Sequence, residues 1–89
     1  MLVTVDEAKL YLRIDNELED TEVEQLLTTS EQLVQDIART SEWEGKEPII
    51  RPALLYATAF LYEHREEVDF EELRRMLRSL LIDVRTEVF

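Results

Sequence analysis

Residues 52–62, Pro-Ala-Leu-Leu-Tyr-Ala-Thr-Ala-Phe-Leu-Tyr, hold no charged side chain in a chain that is 35% charged. Ala53, Leu54, Leu55, Ala57, Ala59, Phe60 and Leu61 are spread around the whole circumference of a 3.6-residue period, and a helix apolar on every side is normally buried. Pro52 suits the first turn of such a helix, where its missing N–H has no intrahelical partner. The stretch rises only about 16 Å, roughly half of a bilayer core, so it is too short to be a membrane span. It predicts a buried central helix, about residues 52–66, against which the other elements pack.

The rest of the composition agrees with an all-α fold. One glycine and two prolines provide few turns, which disfavours a many-stranded β protein and favours helices with short links. There is no cysteine, hence no disulfide and no thiolate chemistry. Met1 runs into Leu-Val-Thr-Val-Asp-Glu without a basic, apolar leader, so a cytoplasmic protein is expected. The net charge of −11 argues against nucleic acid as the main ligand, because phosphate binding needs a basic footprint. Most of the acidity precedes the central helix: residues 1–47 carry a net charge of −9 and residues 48–89 only −2.

Three further helices are predicted around this core. Thr4 and Glu7 have capping-box spacing and open a helix over about 5–14, with Val5, Ala8 and Leu12 on one stripe and Tyr11 beside them. Thr21 and Glu24 repeat the spacing, with Asp20 a competing cap. Val23, Leu26, Leu27, Leu33, Val34 and Ile37 continue that second helix over about 21–39. Asp69 and Glu72 start a fourth over about 70–85, whose inward face would be Leu73, Met76, Leu77, Leu80, Leu81 and Val84. Residues 40–51, with Gly45 and Pro48, are left as a loop. Its Trp43 either tucks over the core edge or stands out as an anchor for a partner. One domain of about four helices results.

Little in this chain is equipped for catalysis. Residues 15–26 begin like a calcium-binding loop, but Asp20 stands where the sharp turn needs glycine and Leu26 where a bidentate glutamate is required. The acidic turn is read as solvated. His64, the single histidine, lacks partners at metal-ligand spacing and is placed to cap the final carbonyls of its helix. Thr21, Thr28, Thr29, Ser30, Thr40, Ser41 and Thr58 show no nucleophile-elbow spacing. No enzyme activity, metal or cofactor is expected. Arg74, Arg75, Arg78 and Arg85 form the one basic concentration. They make either a solvated face with Glu71–Arg74 and Glu71–Arg75 pairs, or a contact for an acidic neighbour. The acidic N-terminal half of a second copy would be such a neighbour, giving head-to-tail association.

Thr4-Val5-Asp6-Glu7-Ala8-Lys9, Leu12-Arg13-Ile14-Asp15, and Glu19-Asp20 opening a long helix to Ile37-Ala38-Arg39-Thr40 resemble the start of the phage and prophage head–tail connector family. These are small helical adaptors sometimes labelled DNA-packaging proteins. Pro52-Ala53-Leu54-Leu55 and Leu61-Tyr62-Glu63-His64-Arg65-Glu66 resemble that family's third helix, so the likeness spans about residues 3–67. Ser41-Glu42 stands where members often have glycine, and residues 69–89 are longer and more charged than the usual tail. The resemblance implies a non-enzymatic virion component without a cofactor. It would assemble as a ring on the portal protein in the host cytoplasm, extend the DNA channel in the virion neck and meet a downstream tail-joining protein. It implies no sequence-specific nucleic-acid binding and no membrane contact. On this reading Asp15, Glu17, Glu19, Asp20, Glu22 and Glu24 would face the channel and repel DNA, while Trp43, Arg74, Arg78 and Arg85 would contact neighbours. The alternative is a small helical protein–protein interaction module, a regulator or antitoxin-like adaptor unrelated to virions.

Overall fold

A computed structural model describes residues 2–14, 19–38, 43, 45–64 and 66–82. Four helices follow in order: α1 (Val5–Leu12), α2 (Asp20–Ala38), α3 (Glu47–Glu63) and α4 (Phe70–Leu80), and the described residues contain no strand. The protein is a small all-α bundle.

Local chemistry sets most of the helix ends. Thr4 Oγ1 accepts the Glu7 N–H at 3.1 Å while the Glu7 side chain reaches back to the Thr4 N–H, closing the capping box of α1. Its far end is a Schellman turn: Arg13 N–H donates to the Leu10 carbonyl and Ile14 N–H to that of Lys9, with Arg13 left-handed at φ 62°. That turn folds Ile14 back into the core. At the start of α4, Asp69 Oδ1 accepts the Glu72 N–H at 3.0 Å. The start of α2 lies at Asp20, one residue ahead of the expected Thr21, and Val23 N–H donates to the Glu19 carbonyl.

The central helix begins five residues before the expected Pro52. Its second residue is Pro48, which takes the early-turn position that tolerates proline, and Glu47 meets the positive end of the helix dipole. Gly45, at φ 82°, supplies the left-handed turn that leads in. Pro52 therefore lies inside the helix and offers no N–H to the Pro48 carbonyl. Both prolines are exposed, which leaves that carbonyl to water. The early start is stabilised by Ile50, which the helix turns fully into the core. Thus the predicted 40–51 loop is shorter than expected, with residues 39–42 and 44 outside the described set. At its other end α3 stops at Glu63 rather than near 66, with His64 as its cap.

Two helices, not one, form the hub. α2 and α3 share the most extensive contact, and each also meets both α1 and α4, whereas α1 and α4 do not touch. Tyr62 Oη donates to Glu19 Oε1 at 2.9 Å, and Thr58 lies against Ser30. The two pairs run in opposite directions along the chain, so α3 is antiparallel to α2. Val23, Leu27 and Val34 of α2 face Ala53, Leu54, Ala57 and Leu61 of α3 in a single core. At the Ser30–Thr58 crossing both hydroxyls are buried and satisfied, Ser30 by the Leu26 carbonyl and Thr58 by that of Leu54, each 2.8 Å away. The expectation that α3 leaves no face for water needs correction. Leu55, Tyr56, Ala59 and Tyr62 are only half-buried, because three neighbours do not close the whole circumference.

The inward face of α4 is also narrower than predicted. Leu73, Leu77 and Leu81, four residues apart, are fully buried, but Met76 and Leu80 are 42% and 44% exposed. A helix packed on only two others buries one line of side chains, and residues three positions off that line stand at its edge. Val84 and the expected end of α4 lie outside the described residues. On α1, Ala8 is buried while Tyr11 is 53% exposed, so the aromatic lies off the stripe.

Candidate functional site

The polar contacts between elements gather where α1 meets the hub. Arg51, at the second turn of α3, donates one guanidinium N–H to the Leu2 carbonyl at 2.9 Å and another to Glu7 Oε2. That hydrogen bond, with the Thr4 N–H also pointing at the carboxylate, holds the Glu7 carboxyl below its ordinary value of 4.5. Lys9 Nζ lies 2.6 Å from Asp20 Oδ1, an ion pair joining α1 to the start of α2. Glu19 receives the Tyr62 hydroxyl. Two of the six acids expected to line a channel, Glu19 and Asp20, are therefore half-buried ties between helices. Glu24 is exposed and Glu22 half-buried, and Asp15 and Glu17 lie outside the described residues. None of these long-range pairs was visible in the sequence, because no local spacing links residue 7 to 51 or 19 to 62.

Trp43 is half-buried and packs on the core edge, its carbonyl accepting the Lys46 N–H at 2.9 Å. His64 does what its position predicted: Nδ1 donates to the Phe60 carbonyl at 2.9 Å. Its ring also stacks on Phe60, with centroids 4.3 Å apart. Among the described residues no group of three or more His, Asp or Glu side chains could hold a metal ion. No helix there is long and apolar enough to cross a membrane.

What remains is surface, and its charge is sorted. Arg74, Arg75 and Arg78 are exposed and, with Glu71, line a shallow depression on α4. The expected Glu71–Arg74 and Glu71–Arg75 pairs are not closed; the described ion pairs are Lys9–Asp20 and Arg51–Glu7. Arg85 lies outside the described residues. A second depression, at the end of α3, is lined by Tyr62, Glu63, His64, Glu66 and Glu67. Its three glutamates are exposed and close no ion pair among the described residues. Sequence reasoning overlooked this notch because its acids straddle a helix end; Glu-x-x-Glu-Glu beside a C-terminus was the available signal.

No family model matches the chain, and no curated protein or solved structure matches it.

Proposed function

We propose that this chain is a structural head–tail connector subunit, which assembles as a ring on the portal vertex, extends the DNA channel and joins the capsid to a tail protein. The observation that carries the reading is the sequence likeness over residues 3–67. The fold lends support in one respect. The described residues of that likeness lie in or beside α1, α2 and α3, and Glu7–Arg51, Lys9–Asp20 and Tyr62–Glu19 bind those helices into one unit. Residues this far apart in sequence serve a common architecture.

On this proposal the protein is not an enzyme, and its work is done by exposed faces. The exposed acid near the start of α2 is Glu24, because Glu19 and Asp20 are tied to Tyr62 and Lys9. Its place is the host cytoplasm during assembly and then the virion neck. The test is capture of the full chain by the portal protein of the same phage or prophage, followed by electron microscopy of the complex. A ring of added density on the portal is expected, with the 15–24 stretch lining its bore. A portal that captures no chain, or a ring with residues 15–24 turned outward, overturns the respective part of the proposal.

A further inference from the structure

We infer that the arginine face of α4 docks on the acidic notch at the end of α3 of a second copy of this chain. The inference rests on the connector reading only for the expectation that such contacts recur around a ring; the contact itself is argued from the two surfaces.

Arg74, Arg75 and Arg78 put three cations within five positions, in a chain whose net charge is −11. All three are exposed, and none closes an ion pair among the described residues. Glu63, Glu66 and Glu67, also exposed, match them in number, with Arg65 the one cation in that stretch of sequence. They sit where α3 ends, so the negative end of its dipole deepens the potential that the carboxylates create. Guanidinium groups suit this mate, since each can engage a carboxylate through two parallel hydrogen bonds. By helical spacing Arg74 and Arg78 flank the buried Leu73–Leu77–Leu81 line on one side, away from the half-exposed Met76 and Leu80 on the other, so the contact is electrostatic.

The occupant follows from charge. Three arginines are a small basic footprint for a nucleic acid, and a polyanion offers nothing to the glutamates, whereas a second copy offers a mate to both surfaces. The acids of the α1–α2 corner, the mate expected from sequence, are partly spent on Lys9 and Tyr62. Among the described residues the three notch glutamates close no ion pair, and every copy carries them. Two copies repel through their net charge, but at about 0.15 M salt that repulsion is screened beyond roughly 8 Å, leaving the facing arginines and glutamates to decide.

Sedimentation velocity of the full chain at about 0.15 M salt tests this, over concentrations up to about 1 mM, where even a contact of about 4 kcal/mol registers. The wild type associates, and raising the salt to about 1 M, which shortens the screening length to roughly 3 Å, weakens it. Arg74→Glu with Arg78→Glu, and separately Glu63→Lys with Glu67→Lys, each abolish association while far-UV circular dichroism is unchanged. The neutral pair Arg74→Gln with Arg78→Gln does the same if charge reversal disturbs folding. Combining all four reversals restores the pairing with signs exchanged, at least tenfold tighter than either reversed pair alone. A monomeric wild type, reversed variants that still associate, or a fourfold variant that stays monomeric each overturn the inference. Portal capture of the wild type, read separately, distinguishes this failure from failure of the connector reading.

Discussion

The register of α4 can be tested with two leucines three residues apart. Leu77 is fully buried between α2 and α3, whereas Leu80 is 44% exposed. Truncating a fully buried leucine removes its transfer free energy and leaves a partly relaxed cavity, together costing about 2–5 kcal/mol, so about 3 kcal/mol is expected for Leu77→Ala. A domain of this length is stable by about 4–13 kcal/mol, at roughly 0.05–0.15 kcal/mol per residue, so the loss is a large share of the total. At about 4–8 °C per kcal/mol for a domain of this size, the melting temperature should fall by roughly 12–24 °C. Leu80→Ala, at the edge, should cost less than about 1 kcal/mol. Three leucines hold α4 to the hub, so hydrogen exchange in Leu77→Ala should show the amides of 73–80 losing protection well before those of α2 and α3. Thermal melts followed by circular dichroism and residue-resolved exchange supply both measurements. Equal costs for the two truncations would refute the register. Equal loss of protection in all four helices would refute the separateness of α4.

Three further outcomes are expected. The Glu7 carboxyl has a depressed folded pKa, so its contribution is present above its ordinary 4.5 and is lost as pH falls through the lower folded value. Melting temperatures of wild type and Glu7→Gln should therefore differ above that range and converge below it, and a constant gap would contradict the Arg51 contact as the cause. Leu54→Asp places a carboxylate at a fully buried position, and far-UV circular dichroism should report an unfolded chain; a folded, soluble variant would remove α3 from the core. Among the described residues Arg13 is the non-glycine residue at positive φ, and Arg13→Gly should raise stability by about 0.5–1 kcal/mol in urea titration by relieving the left-handed strain; a loss would mean the arginine side chain matters there.

Much of this fold was written in local chemistry. The caps at Thr4 and Asp69, the stripe from Val23 to Ile37 and the His64 cap each depend on residues within one turn of one another, which a sequence displays. The start of α3 was misplaced because two prolines four residues apart both suit a first turn. The choice fell to Ile50, whose burial depends on tertiary contact and not on its neighbours in the chain. Met76 and Leu80 were read as inward because hydrophobicity marks a face but not its width; the width depends on how many helices cover it. The ties at 7–51, 9–20 and 19–62 were illegible for a simpler reason. Charged side chains are abundant here, and nothing local indicates which distant pair will meet.

The lack of contact between α1 and α4 has a consequence for how this molecule tolerates change. Each is fastened separately to a shared two-helix beam, α1 by ion pairs and Ala8, α4 by its leucines. Substitutions on the two should combine additively, within about 0.3–0.5 kcal/mol, because the two helices do not touch. One peripheral helix can then be rewritten to suit a new neighbour without a compensating change in the other. The beam, which touches both, has no such freedom.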